Sequence, residues 1–409
     1  MKILFCSTSI NQTTGYGRIS YTLLKHLASI GHKVTHFAFQ NYEWLIKHSD
    51  RDLPESITII DVHKLSKETY GTDIFLETVQ TIRPDIVFIY NDVNVISGLV
   101  NILKANDVKV PVVISYVDLV YKYQKRELVD RVISESTHIF VFSDIWKKHL
   151  VDGYGADESR ISVFPHGIDV EKFTKIDKNS AKKDIGLCED DFIVFNNNRN
   201  SYRKLLDIGL KAFVRFWKMT GYDPHVKYLM NCRMDITDGY NFRDILKNAS
   251  IEEDVDHETL VTNHVILLSK DLGGCLSDSQ INVALNASDI GINTCGGEGF
   301  GLCNAEGAFI GNPQIVTNVG GLSDIFHEFP NMLVEPKVNM TLTAGIDFHV
   351  GELAICDYKD VADTMFFYYS NRDVLKSDGE SVERHIKKTY SWDRLLENFD
   401  NDLRKIIFD

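Results

Sequence analysis

The sequence lacks any long apolar run. Its apolar opening, residues 1–6, turns polar at Ser7, which is too short a stretch for a secretory signal peptide. No segment approaches the roughly 20 apolar residues that a membrane-spanning helix requires. We therefore expect a cytoplasmic protein without stable membrane insertion.

Cysteine is sparse and has no regular spacing. The seven cysteines show no Cys-x-x-Cys pair, and an odd number without such a framework is typical of free thiols in a reducing compartment. Cys303 is expected to have a packing role, and the His32/His36 pair is not expected to bind metal. Because no His, Asp or Glu cluster has the spacing of metal ligands, we expect neither a metal nor a resident cofactor.

Basic residues are outnumbered by acidic ones. Lys and Arg total 44 against 58 Asp and Glu, which gives a net charge of −14. Because a nucleic-acid-binding surface has to be basic, we expect no nucleic-acid partner. The 409 residues are too many for one hydrophobic core, so two domains are expected.

Short apolar runs alternate with amphipathic segments in both halves of the chain. The alternation predicts parallel sheets covered by helices, an α/β fold of two Rossmann-like domains. The predicted strands are 3–6, 34–39, 57–60, 86–90, 112–115, 139–142 and 161–164, then 192–195, 227–230, 264–268, 290–292 and 314–316; helices are predicted at 16–29 and 120–135.

The alternation is interrupted once, at Pro-His-Gly-Ile-Asp (165–169) and the charged stretch after it. We interpret this interruption as an interdomain linker in which His166 is structural. The expected domains are 1–168 and 169–388, followed by a capped amphipathic helix within 389–409. Residues 339–354 lack periodicity and are predicted to form a loop insertion.

The most informative stretch is the glycine-rich segment 296–311. It follows a short apolar run, and residues 302–310 are predicted to form a helix that Gly311 terminates. Backbone N–H groups at such a helix start suit a pyrophosphate. Glu298 and Glu306 are acceptor-only when ionised, which suits the hydroxyls of two sugars, a ribose and a transferable hexose. A plain strand-to-helix connection with a capping Glu is the simpler alternative.

The order Glu298-Gly-Phe-Gly-Leu, with seven residues between Glu298 and Glu306, resembles the retaining glycosyltransferases of family 4. The resemblance continues through 313–321. It implies a GT-B fold: two Rossmann-like domains facing across a cleft, with a C-terminal helix that crosses back to the N-terminal domain. It also implies that Glu298 contacts the donor hexose and Glu306 the ribose. The other loop residues expected at the donor are Gly299, Phe300, Gly301 and Leu302.

Two cations complete the expected donor site. Arg199 and Lys204 fit the Arg-x4-Lys pair of the family, and two fixed cations can stabilise charge on a leaving β-phosphate without a metal. Arg203 is the rival and is assigned to the flank; a solvated basic helix start is the alternative. The further expected donor contacts are Asn198, Ser269 and Lys270.

Two features of the first domain are weaker candidates. Gly15, Tyr16 and Gly17 follow the first predicted strand and can offer N–H groups to the donor, although a tight strand–helix turn explains them equally well. Asp118 lies where many family members have a His that contacts the donor sugar. It is expected either to accept a hydroxyl or stabilise an oxocarbenium-like state, or to be only a helix N-cap.

Segments 90–92, 116–120 and 198–200 resemble glycosyltransferases of chlorella viruses and other giant DNA viruses, whose acceptor would be a virion glycan made in host cytoplasm. The combined expectation is a retaining, metal-independent transfer of a hexose from a GDP- or UDP-sugar to a glycan, glycoprotein or other hydroxyl acceptor. Two alternatives stay open: a GT-B-fold nucleotide-sugar epimerase and a catalytically inactive nucleotide-sugar binder.

Overall fold

The computed structural model describes residues 1–12, 14–43, 51–233, 239–268, 276–343 and 349–408. The chain divides into two compact units. Unit 1 comprises Met1–His166, Phe348–Gly351 and Asp393–Asp409, and unit 2 comprises Gly167–Asp347 and Glu352–Trp392. Within the described residues, no helix is both long enough and apolar enough to cross a membrane.

Unit 1 contains a parallel sheet with the order β3-β2-β1-β4-β5-β6-β7 among the described residues. Its central strands are nearly continuous runs of buried residues, as parallel strands covered on both faces must be, whereas the edge strand over Thr58–Asp61 is partly exposed. The predicted strand positions are confirmed. The strands are β1 (Lys2–Thr8), β2 (Lys33–Phe39), β3 (Thr58–Asp61), β4 (Ile86–Asp92), β5 (Val112–Asp118), β6 (His138–Val141) and β7 (Ile161–Val163).

The helices of unit 1 are α1 (Gly15–Ser29), α2 (Val62–Leu65), α3 (Thr72–Ile82), α4 (Val93–Ala105), α5 (Arg126–Glu135) and α6 (Asp144–Tyr154). The helix predicted over 120–135 begins only at Arg126. Tyr123 has a φ of +54°, which an α-helix cannot accommodate, so the preceding residues are not helical.

The last helix of the chain, Trp392–Phe408, belongs to unit 1 from Asp393 onward. Its Phe399 ring stacks on Phe164 at 4.8 Å between centroids. Its Asp400 Oδ1 lies 2.7 Å from Nε2 of His26 on α1. The apolar stripe of the helix therefore covers part of the sheet of unit 1.

Unit 2 repeats the architecture with a parallel sheet of order β10-β9-β8-β11-β12-β13 among the described residues. The strands are β8 (Phe192–Asn196), β9 (Val226–Met230), β10 (Val265–Leu267), β11 (Ile290–Asn293), β12 (Gln314–Thr317) and β13 (Leu333–Val334). The helices are α7 (Lys178–Asp184), α8 (Leu206–Met219), α9 (Phe242–Glu253), α10 (His257–Asn263), α11 (Asp278–Ala287), α12 (Leu302–Phe309), α13 (Gly320–Phe326), α14 (Tyr358–Ser370) and α15 (Arg372–Thr389); the final helix, Trp392–Phe408, is α16.

The prediction of a loop over 339–354 is wrong at both ends. β14 (Val338–Leu342) and β15 (Gly351–Ile355) form a two-stranded sheet. Four of the five residues of β14 are exposed, so the strand shows no alternation that the sequence could reveal. At the end of β15, Ala354 N donates to Gly296 O at 2.8 Å, which fastens this sheet to the glycine-rich loop.

Candidate functional site

The glycine-rich loop leads from β11 into α12, as the sequence predicts. Gly301, directly before the helix, has a φ of +103°, and Gly311 after it has a φ of +95°, both in the region that favours glycine. Gly321 N donates to Glu298 O at 3.0 Å. A Cβ on Gly321 would lie 2.3 Å from Gly299 O, so only glycine permits this close approach. The loop is therefore fixed by its own backbone contacts.

The Glu298 side chain lies in a buried ion cluster. Its Oε2 bonds to Lys204 Nζ and lies 3.5 Å from Arg203 Nη1. The Lys204 and Glu298 side chains are only 8% and 12% exposed. Burial acts to raise the pKa of Glu298, but the two cations outweigh it and lower that pKa to about 2. The carboxylate is therefore ionised at neutral pH, and the cluster keeps one net positive charge.

This charge lies where an anion is favoured, beside the N-terminus of α12. The segment that carries Arg203 and Lys204 is held there by hydrogen bonds with the residues after β11. Gly296 N donates to Arg203 O at 2.9 Å, and Thr294 Oγ1 donates to Leu205 O at 2.8 Å. Arg203 Nη1 also donates to Gly297 O at 2.5 Å. These hydrogen bonds thus join two loops that are far apart in sequence into one site.

The two arginines near Lys204 differ in position. Arg199, which the sequence predicts for the cationic role, has an exposed side chain. Arg203, which the sequence argument assigns to the flank, is the one that reaches Glu298. The distinguishing feature is local geometry: Tyr202–Lys204 forms a 3₁₀ turn, and Leu205 follows with a φ of +44°. Sequence spacing alone does not reveal that turn.

The remaining donor candidates of unit 2 are mostly buried. Asn198 is 3% exposed and donates to Asn196 Oδ1 at 2.8 Å, and Cys303 Sγ lies 3.7 Å from Asn198 Oδ1. Glu306 is 1% exposed on α12. The Phe300 ring packs against Tyr390 at 5.4 Å. The candidates Ser269 and Lys270 lie outside the described residues.

The candidates of unit 1 meet at the carboxyl ends of β4 and β5. The Tyr16 hydroxyl lies 2.7 Å from both Asp92 Oδ1 and Asp118 Oδ2. Burial, and then the two carboxylates, raise the pKa of Tyr16 well above its usual range. His349 Nδ1 lies 4.0 Å from Asp92 Oδ1. Asp92 is not among the site residues predicted from the sequence, although parallel strands place their ends on one edge and Asp92 pairs with Asp118.

The structure rejects the purely structural interpretation of Asp118 but supports the one for the glycine turn. Asp118 is not a helix N-cap, because it ends β5 and the next helix begins only at Arg126. The glycine turn does have a packing reason. Thr14 Oγ1 accepts from Gly17 N at 3.5 Å, and a Cβ on Gly17 would lie 2.3 Å from Gln12 O. Gly17 is therefore required by the strand–helix turn itself.

Across the described ranges, no three His, Cys, Asp or Glu side chains are grouped so that they could hold a metal ion. The ion cluster described before the N-terminus of α12 consists of two cations and one carboxylate. Chemically, this set can bind an anion and accept a hydroxyl hydrogen bond.

Two parallel α/β units and a glycine loop that opens a helix define the class of fold, that of GT-B glycosyltransferases. The structure of sucrose-phosphate synthase from Thermosynechococcus elongatus matches with a TM-score of 0.74 at 14% identity, covering 99% of each chain. HepE of Anabaena, in complex with UDP and glucose, matches with a TM-score of 0.71 at 14% identity, covering 99% of this chain and 100% of that one. The expected fold is confirmed.

The sequence comparisons point to the same class. Residues 13–172 match the family model described as Glycosyltransferase Family 4. A D-inositol 3-phosphate glycosyltransferase of Geodermatophilus obscurus is 24% identical over 209 residues, which cover 47% of this chain and 40% of that protein. The chain spans about half the length of the curated relatives it matches. The resemblance to family 4 is thus supported, while the narrower viral resemblance stays a prediction.

Proposed function

We propose that this protein is a retaining, metal-independent glycosyltransferase. It moves a hexose from a nucleotide-diphosphate sugar to a hydroxyl group of a glycan or glycoprotein in the cytoplasm. The observation that carries the proposal is the ion cluster of Glu298, Lys204 and Arg203 at the glycine-rich start of α12.

The donor diphosphate is assigned to the start of α12 because the net positive charge of the cluster and the helix N-terminus both attract anions. Glu298 precedes that start in the sequence and Glu306 follows it within the helix, and we assign each to accept hydroxyl hydrogen bonds from one sugar. UDP is the first candidate nucleotide because HepE is described in complex with UDP and glucose. GDP is the second.

The proposed transfer needs no protein nucleophile. The bond from C1 of the hexose to the β-phosphate oxygen breaks, and the acceptor oxygen bonds to C1 on the same face. The acceptor proton passes to the departing phosphate. A carboxylate whose pKa is lowered to about 2 is a weak base and a weak nucleophile, so Glu298 is assigned to holding the hexose.

Charge on the leaving group is stabilised by Lys204 and by an arginine. As the phosphate departs, its negative charge grows, and fixed cations then interact more strongly with the transition state than with the bound donor. Arg203 is favoured over Arg199 because it already lies within 3.5 Å of Glu298. Two such cations supply the charge that a divalent ion would otherwise provide.

We assign the donor to residues 169–388 and the acceptor to residues 1–168. In unit 1, Tyr16, Asp92 and Asp118 form a polar cluster at the carboxyl ends of two strands, the usual ligand position in open α/β sheets. One phenolic O–H lies between two carboxyl groups, so this cluster offers acceptor oxygens to the hydroxyls of an incoming substrate.

The test is a thermal-shift and turnover screen against UDP-, GDP-, ADP- and CMP-sugars, with and without a panel of glycan acceptors. Transfer that gives a product with the donor's anomeric configuration, read by NMR, is expected, and an inverted product would contradict retention. A changed sugar nucleotide formed without acceptor would identify an epimerase. Donor binding without any turnover would identify an inactive binder.

A further inference from the structure

A chain of three buried side-chain amides leads from the edge of the glycine-rich loop into the sheet of unit 2. Asn293 ends β11, Asn304 lies on α12, and Gln314 begins β12. Their exposures are 0%, 3% and 2%. A buried amide is costly unless each of its polar atoms is paired, so three adjacent amides require an explanation beyond filling space.

Every amide in this chain points the same way. Gln314 Nε2 donates to the backbone oxygen of Asn312 at 3.0 Å, and Gln314 Oε1 accepts from Asn304 Nδ2 at 2.9 Å. Asn304 Oδ1 accepts in turn from Asn293 Nδ2 at 2.8 Å. Since the backbone oxygen of Asn312 can only accept, it sets the direction of the whole series.

The chain ends at the functional carboxylate. Cys295 N donates to Asn293 Oδ1 at 3.2 Å, which leaves the nitrogen of the Asn293 amide as the donor. One of its hydrogens goes to Asn304, and hydrogen bonding from the Asn293 side chain is among the causes that lower the pKa of Glu298. If any amide in the series were reversed, an oxygen would face an oxygen.

Two glycines leave space for the Gln314 amide, which is the member of the amide chain farthest from Glu298. A Cβ on Gly291 would lie 2.1 Å from Gln314 Oε1, and a Cβ on Gly307 would lie 2.5 Å from Gln314 Nε2. The Gln314 amide therefore lies between two glycines, one on β11 and one on α12. Any other residue at either position would displace it.

We infer that Gln314, Asn304 and Asn293 are positioning residues that orient the Glu298 carboxylate toward the donor hexose. The inference rests on the proposed transferase function. Lys204 and Arg203 contact Glu298 Oε2, and the amide chain reaches the same carboxylate through Asn293. Gln314 thus acts on the reaction through three side chains without touching the substrate.

Gln314→Met is the first test, because it keeps the length of the side chain and removes both hydrogen bonds. Losing one buried hydrogen bond corresponds to about a fivefold change. We expect kcat to fall by about that factor while KM for the donor stays near the wild-type value. The matched control is Asn286→Leu, which removes another buried amide, one that bonds to Thr174 O and Asn282 O.

Gln314→Glu supplies a rescue that a purely structural role would not show. A buried carboxyl resists ionisation, and its neutral form has one donor and one acceptor, which can replace the one donated and one accepted hydrogen bond of the Gln314 amide. We expect kcat near wild type at pH 6 and a progressive loss as the pH rises and the new group ionises. A flat ratio to wild type across this range would overturn the inference.

A second readout does not depend on turnover: the ¹³C carboxyl resonance of Glu298, assigned with Glu298→Gln. The ionisable groups facing it are Lys204, Arg203 and Cys295. Its titration should begin at a higher pH in Gln314→Met than in wild type and should be unchanged in Asn286→Leu. An unchanged titration in Gln314→Met refutes the amide chain.

The two readouts separate the inference from the proposed function. If the titration shifts but the wild-type protein turns over no donor, the proposed function fails and the orientation of Glu298 by the amides stands. If the titration shifts and the wild-type protein is active, but Gln314→Met has the same kcat as wild type, the positioning role is refuted. A fall in melting temperature that is matched by Asn286→Leu, with kcat intact, refutes it as well.

Discussion

Replacing Glu298 by Gln should affect stability, anion binding and transfer in three different directions. The change keeps the shape of the side chain and removes its charge. Lys204, whose side chain is 8% exposed, and Arg203 then lose their carboxylate partner. The variant therefore measures how much of the fold depends on this ion cluster and how much of the function does.

The stability effect follows from the pKa of Glu298, which the fold lowers from 4.5 to about 2. A group whose pKa is lowered in the folded state stabilises the fold above its unfolded pKa and loses that contribution as the pH falls. The difference corresponds to about 3 kcal/mol at pH 7 and about 1.5 kcal/mol at pH 3. The stability gap between wild type and Glu298→Gln should therefore narrow between pH 4.5 and pH 2.

The binding effect has the opposite sign. Without the carboxylate, Glu298 no longer neutralises part of the charge of Lys204 and Arg203, so a nucleoside diphosphate should bind more tightly. A charge-assisted hydrogen bond contributes about 1.5–3 kcal/mol, which predicts a Kd for UDP that is roughly tenfold to a hundredfold lower. Transfer should nevertheless be lost, because the neutral amide is a poor acceptor for the hexose hydroxyls.

Urea unfolding at pH 7 and pH 3, calorimetric titration with UDP and donor turnover test the three effects. Glu258→Gln is the control, because it removes an exposed carboxylate of the same unit. If Glu298→Gln had the same free energy of unfolding as wild type at pH 7, the ion cluster would not stabilise the fold. Weaker UDP binding would show that the two cations do not receive the diphosphate.

Further outcomes follow from the same site. Arg203→Ala should lower kcat/KM roughly a hundredfold and Arg199→Ala much less; kinetics with one donor at one salt concentration decide between them, and the reverse order would restore Arg199 to the cationic role. Glu306→Gln should raise the Kd for UDP and spare kcat at saturating donor, so an unchanged Kd in calorimetry rejects the ribose assignment. Activity should survive excess EDTA, and loss restored by Mg²⁺ or Mn²⁺ would contradict metal independence. Gly301→Ala, at a φ of +103° and with a Cβ 2.4 Å from Leu322 Cδ2, should lower the melting temperature, whereas Gly98→Ala in an open helical position should not; equal melting temperatures would remove the argument from backbone strain.

The predicted elements that matched the structure share a local cause. Strands such as β4 and β5 are buried on both faces, so their sequences are continuous apolar runs that need no tertiary information to recognise. The turn into α12 was equally readable, because Gly301 and Gly311 have positive φ values that other residues rarely adopt. These features depend on the apolar character and backbone preferences of residues within one segment, which can be read directly from the sequence.

The features that the sequence did not reveal depend on contacts between distant segments. β14 has little apolar alternation because four of its five residues are exposed. Asp92 becomes a partner of Tyr16 only once β4 is paired in register with β5. The amide direction from Gln314 to Glu298 requires β11, α12 and β12 together. None of these contacts can be recognised from the spacing of residues within a single segment of the chain.

The choice between Arg199 and Arg203 illustrates which features of the site can be predicted from the sequence and which cannot. Lys204 and Glu298 are 94 residues apart, yet their contact follows from topology. β8 and β11 are adjacent and parallel, so the segments after them leave the same edge of the sheet. Alternation of strands and helices therefore predicts that these segments meet. It does not predict which arginine turns inward, since the 3₁₀ turn at Tyr202–Lys204 and the positive φ of Leu205 set that direction. The meeting of the segments after β8 and β11 follows from the fold, so the alternation of strands and helices predicts it. Which arginine contacts Glu298 depends on the conformation of one turn, which the alternation does not predict.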